Sequence, residues 1–165
     1  MSKNPYYDNT KPTPNLLSKH SIGTAFLYGC AAGLIGVGAM TFSQKIEQAF
    51  TGRPNSYVPG HTLEKLLGMP YRPDSERLGL QHAMHWGQGA LVGGLRGVMS
   101  AYGIVGFVVD FLFTGVRILT DQSLENYAQV GAPPWTWPFN EQVIDVIHKG
   151  VYAFTTGYVV DRWLH

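Results

Sequence analysis

The longest apolar block of the chain runs from Ser21 to Gln44, where no Asp, Glu, Lys, Arg or His occurs. At ~1.5 Å of rise per residue such a block crosses a hydrocarbon layer ~30 Å thick. It predicts a first helix over 21–48, the one segment that reaches spanning length unaided. The block is too long for a signal-peptide core and reads as a retained anchor. Its Gly29-x-x-x-Gly33 and Ala32-x-x-x-Gly36 spacings let a neighbouring helix approach closely.

Between Lys45 and Arg77 the chain is polar and carries two breakers, Gly52-Arg53-Pro54-Asn55-Ser56 and Met69-Pro70-Tyr71-Arg72-Pro73. A short amphipathic piece between them, Leu63 to Leu67, suits a membrane interface. Helical periodicity then returns over 77–100, 101–122 and 140–163, with Tyr102-Gly103 as the joint between the second and third helices and Asn140 as the N-cap of the fourth. Residues 130–138, with Pro133, Pro134 and Pro138, are not helical throughout, and Trp135 and Trp137 suit an interface or a lid. The expected fold is all-α, a four-helix polytopic membrane bundle with a short interfacial helix between its first two helices. It forms one domain over 21–165 behind a flexible polar tail, 1–20.

At about 100° per residue, each of the three later helices gathers its polar residues on one face. On the second these are His82, His85, Trp86 and Arg96, together with Gly89, Gly93 and Gly97. The face that packs closest is therefore the face that carries the ionisable groups. On the third helix Asp110, Arg117 and Asp121 align, and on the fourth Glu141, Asp145, His148, Lys149, Tyr152 and Thr156. A charge placed in lipid costs at least ~2.5 kcal/mol, so such residues pair with one another or line a wet cavity. The simpler outcome is a set of neutralising pairs, Asp110–Arg117, Arg96–Asp145 and Asp161–Arg162.

Composition agrees with helices in lipid. Charged residues make up 14% of the 165 and aromatic residues 13%, with 20 glycines. The net charge of +1 and the scattered Lys and Arg give no reason to expect nucleic acid as a partner. Cys30, the one cysteine, excludes an intrachain disulfide framework. Basic residues flank both sides of a four-helix layout, so orientation leans only slightly, with the first long loop cytosolic.

Acid–base chemistry fits this residue set best. Asp121, Asp145, His148, Arg117 and Asp110 are the catalytic candidates, because a dry pocket holding them keeps one group protonated to donate and another ionised to accept. Asp121 is the preferred carboxylate and Asp145 with His148 the preferred second pair, against the plainer readings of a solvated helix end and a satisfied buried histidine. His82, His85, Trp86, Gln88, Arg96, Glu125, Tyr152, Trp135 and Trp137 are the candidates for binding substrate. His82-x-x-His85 and Asp145-x-x-His148 place potential metal ligands on one face, with His82, His85 and His148 as the donors. The set is poor in carboxylates, no metal is expected, and no cofactor is indicated. No Gly-x-Ser-x-Gly elbow supports a nucleophilic serine.

Two segments, Gly52-Arg53-Pro54-Asn55-Ser56 with Leu63-Glu64-Lys65-Leu66-Leu67-Gly68, and His85-Trp86-Gly87-Gln88-Gly89-Ala90 with Leu95-Arg96-Gly97, join the Pro133–Pro138 run in a resemblance. The chain resembles a little-characterised family of small multipass membrane proteins of bacteria and fungi over roughly Thr41 to Trp163. Some fungal proteins of this kind are similar to epoxidases or epoxide-handling enzymes of polyketide and polyketide–peptide pathways. The resemblance implies a multipass protein, of the endoplasmic reticulum if fungal, that acts on a hydrophobic biosynthetic intermediate beside a haem monooxygenase. Nothing in the chain resembles a flavin or haem site, so oxidation of a double bond would need a partner. Three expectations follow: a membrane-embedded tailoring enzyme for epoxide opening or cyclisation, a non-catalytic partner that holds the intermediate for the oxidase, and a small transporter subunit.

Overall fold

The computed structural model describes residues 18–165, so the expected polar tail lies, apart from its last three residues, outside the described part. The described chain is all-helical: α1 (Ile22–Thr51), α2 (Val58–Leu66), α3 (Leu78–Ala101), α4 (Phe107–Tyr127) and α5 (Phe139–Leu164), with 3-10 turns at Asp74–Glu76 and Pro134–Thr136. Among the described residues only α1 is long and apolar enough by itself to cross a membrane.

The helices form where the sequence pattern places them, and their ends differ for local reasons. Ser21 caps α1 by accepting from the Thr24 N–H at 3.2 Å. The expected interfacial piece falls in the second half of α2, which packs against α3 through buried Gly60, Thr62 and Glu64 and leaves Leu66 and Leu67 exposed. The second and third expected helices do not meet at Tyr102-Gly103. A connector intervenes, in which Gly103 (φ 76°) and Gly106 (φ 97°) adopt conformations open mainly to glycine. As a result α4 starts at Phe107 and continues to Tyr127. Asn140 does not cap α5; extended Pro138 precedes the helix and Asn140 sits in its first turn.

α1 packs between α3 and α5, and α4 packs chiefly on α5. The α1–α3 contact is glycine on glycine: a Cβ at Gly29 would lie 2.8 Å from the Cα of Gly97, and one at Gly33 would lie 3.0 Å from the Cα of Gly93. The small-residue spacings on both helices thus bring the two backbones together.

What is buried and what is exposed invert the usual order. Arg77, Arg96 and Arg117 are among the largest fully buried side chains, while Phe50, Phe107, Phe42, Leu119 and Phe111 are exposed. Soluble monomers rarely show both features together.

Candidate functional site

Chain direction alternates from α1 to α3, α4 and α5, which gives the bundle two distinct ends. At one end Ser18 N–H donates to the Ala101 carbonyl at 3.1 Å and His165 Nε2 donates to the Ser100 carbonyl at 2.9 Å. Arg96 occupies the interior of this end. It donates to Asp110 Oδ1 from Nε (3.1 Å) and Nη2 (2.8 Å), and to Asp161 from Nη1 and Nη2 (2.9 and 2.8 Å). The Ile104 carbonyl takes a further bond from Nη1 at 3.3 Å, and the Gly106 N–H donates to Asp161 at 3.2 Å.

The three simple pairs suggested by the sequence are therefore replaced. Arg96 binds Asp110 and Asp161, not Asp145, and Arg117 stands by Asp121, not Asp110. Arg162 lies over the Tyr158 ring at 4.6 Å instead of pairing with Asp161. Asp110 falls in the first turn of α4, at the Arg96 end, while Arg117 lies two turns further along.

At the opposite end the last turns of α1 and α4 and the first turns of α3 and α5 enclose a cavity of about 700 Å³. The connectors 52–57 and 128–138 form part of its wall, and its volume suits a small molecule. Of the candidate site residues, Asp121, Asp145, His148, Arg117, His82, His85, Trp86, Gln88, Glu125 and Trp137 line this vestibule. Asp110 and Arg96 do not, being committed to each other. Tyr152 lies buried beneath, donating its hydroxyl to the Gly89 carbonyl at 2.6 Å, and Trp135 is exposed outside.

Asp121 is the hub of the vestibule. Its Oδ1 accepts from Gln88 Nε2 at 2.7 Å and lies 3.4 Å from Arg117 Nη2, and its Oδ2 lies 3.4 Å from Lys149 Nζ. Lys149 is held by Asp145 at 2.5 Å. The Arg117 guanidinium rests over the Tyr152 ring at 4.9 Å, and its Nε and Nη1 have no hydrogen-bond partner among the described residues. Two cations and two carboxylates from α4 and α5 thus face one cavity with donor capacity left over. Compared with family models, curated proteins and solved structures, the chain matches none.

A second hollow, of about 920 Å³, runs between α4 and α5 at the Arg96 end, past Phe107, Phe154 and Tyr158. It is an open furrow, and the carboxylates that reach it, Asp110 and Asp161, are already bound to Arg96. The larger hollow is therefore not where the uncommitted chemistry lies. Among the described residues no three His, Cys, Asp or Glu side chains converge as a metal site.

The sequence reading missed two groups. Thr41 and Ser43 of α1 contact His85 and His148, and their signal was a pair of hydroxyls at the edge of an apolar block. The other group surrounds Arg77, which donates from Nε to Glu64 at 2.5 Å, pairs with Asp74 and lies 4.5 Å over the Tyr71 ring. Hydrogen bonding from Arg77 holds the Glu64 carboxyl below the usual carboxylate range, and His61 and then Arg77 do the same for Asp74. This group fastens the α1–α3 connection, which no local periodicity announces.

Proposed function

We propose that the protein is a membrane-embedded enzyme whose four long helices span the bilayer, and that it handles a hydrophobic, oxygen-bearing small molecule by acid–base chemistry, opening an epoxide or closing a ring through its oxygen. The observation that carries this reading is the convergence of Asp121, Lys149 and Arg117 on one cavity of about 700 Å³. The apolar exterior of α1, α3, α4 and α5 around buried charges supports the membrane placement.

The step adds an O–H across one C–O bond of an epoxide. The attacking hydroxyl, from water or from the ligand, gives its proton to the Asp121 carboxylate as its oxygen bonds to carbon. The epoxide C–O bond breaks, its electron pair passes to the ring oxygen, and that oxygen takes a proton from the Lys149 ammonium. Proton return from Asp121 to Lys149, 3.4 Å apart, restores both groups. Arg117 beside them stabilises the negative charge that develops on the ring oxygen.

One detail favours a second reading, a non-catalytic partner that holds the same ligand for a haem monooxygenase. Asp121 Oδ1 already accepts from Gln88 and faces Arg117, which ties up part of the proposed base. Membranes carrying this protein alone, supplied with a C18 fatty epoxide, separate the two. The enzyme reading expects conversion, reduced at least ~100-fold by Asp121→Asn at unchanged abundance. Conversion that appears only with a co-expressed monooxygenase would give the second reading. Release of the protein by carbonate extraction would refute the membrane placement.

A further inference from the structure

We propose that α1 is a working wall of the vestibule, with His85 as the imidazole that meets the ligand and Thr41 as the residue that positions it. This rests on the acid–base reading of the vestibule. Thr41 Oγ1 lies 3.1 Å from His85 Nε2, and Ser43 Oγ lies 2.9 Å from His148 Nδ1. Two residues along a helix turn by about 200°, so neighbouring hydroxyls on α1 reach different partners, one on α3 and one on α5. Thr62, Thr114 and Thr120, by contrast, each donate to the carbonyl four residues back. Thr41 and Ser43 reach across to histidines instead.

The two imidazoles are held differently. His148 has Ser43 at hydrogen-bond distance on Nδ1, and its buried Nε2, which makes no hydrogen bond, faces Glu47 Oε2 at 3.7 Å. Glu47 lies four residues beyond Ser43 on the same side of α1 and is itself gripped by Arg53 at 2.9 Å. Both nitrogens of His148 therefore face α1, which makes it a strut between α1 and α5. His85 is bound only through Nε2, its ring lines the vestibule, and its Nδ1 has no hydrogen-bond partner among the described residues. Gln88, one turn further along α3, holds Asp121 at 2.7 Å, and His85 lines the same vestibule as that proposed base. In a neutral imidazole one nitrogen donates and the other accepts, so the bond to Thr41 decides what Nδ1 offers the ligand.

The test uses the full chain, with ¹⁵N-labelled histidine, in lipid nanodiscs. Thr41→Val, which keeps the shape and removes the hydroxyl, is expected to convert a single His85 tautomer into a mixture, read from the ring nitrogen shifts. Thr41→Ser is expected to keep the wild-type signature, and Ser43→Ala to move the His148 signals while leaving those of His85 in place. Addition of the C18 fatty epoxide is expected to shift His85 more than His148. In turnover, Thr41→Val lowers kcat about 10-fold with little change in KM, and Thr41→Ser restores it. Unchanged His85 signals in Thr41→Val, failure of Thr41→Ser to restore them, or no response of His85 to the epoxide would each overturn the proposal. Unchanged His148 signals in Thr41→Val show that the bundle has stayed folded. The nitrogen shifts need no turnover, so loss of the enzyme reading and loss of the Thr41–His85 pairing are read separately.

Discussion

Arg96 and Arg117 are both fully buried arginines on long helices, yet they sit in opposite kinds of surroundings. Arg96 directs its donors to Asp110, Asp161 and the Ile104 carbonyl, and the backbone of α5 closes beneath it at Gly157, where a Cβ would collide with the Asp110 carboxyl. Arg117 has one carboxylate at 3.4 Å, shares it with Lys149 and Gln88, keeps Nε and Nη1 without partners, and borders a cavity. A satisfied, sealed charge serves the fold. One left under-bonded beside a cavity costs stability and is expected where a ligand supplies the missing partner.

Removing either partner of the sealed cluster should give the largest effect. Arg96→Ala leaves buried Asp110 and half-buried Asp161 unpaired and is expected to cost about 3–5 kcal/mol, read by denaturant unfolding in mild detergent. Unfolding at the wild-type midpoint would erase the distinction between the two ends. Gly93→Val drives a side chain into the backbone of Gly29 and Gly33, with an expected loss of about 1–3 kcal/mol in the same assay. Asp121→Asn keeps the volume and the acceptor for Gln88. It leaves buried Arg117 without a carboxylate and is expected to cost about 1–3 kcal/mol, less than Arg96→Ala, with activity the larger loss. A stability loss as large as that of Arg96→Ala would make the vestibule charges structural.

The smallest effect concerns the connector. Glu64 and Asp74 have their carboxyls held below the ordinary range by hydrogen bonds from Arg77 and His61. A depressed folded value contributes stability that is fully present above the unfolded value, about 4, and lost as the pH falls through the folded one. Limited proteolysis between α1 and α3 should therefore accelerate only below about pH 4. Asp74→Asn should weaken that acid dependence, and an unchanged profile would remove Asp74 from the account.

Much of this was legible in the sequence because helices write themselves locally. The apolar block of α1, the glycines at four-residue spacing on α1 and α3 and the polar faces of the later helices all follow from a 3.6-residue period. The period tells which residues share a face but not their height along the bundle. A shared face suggests one site for Asp110 and Asp121, but the rise of ~1.5 Å per residue between them along α4 puts them at opposite ends. Partners far apart in sequence were also hidden: Ser43 meets His148 across 105 positions and Arg96 meets Asp161 across 65. Lys149, seen on the right face, became central only when α5 placed its Nζ between Asp121 and Asp145.

The contrast between the two ends is tested most directly by locating the ligand. A C18 fatty epoxide bearing a diazirine, crosslinked to the full-length protein in nanodiscs and mapped by mass spectrometry, should label vestibule residues such as His82, Trp86 and Trp137. The Asp121→Asn variant should show the same sites. Labels gathered at Phe107, Phe154 and Tyr158 of the α4–α5 furrow, with none in the vestibule, would contradict the account.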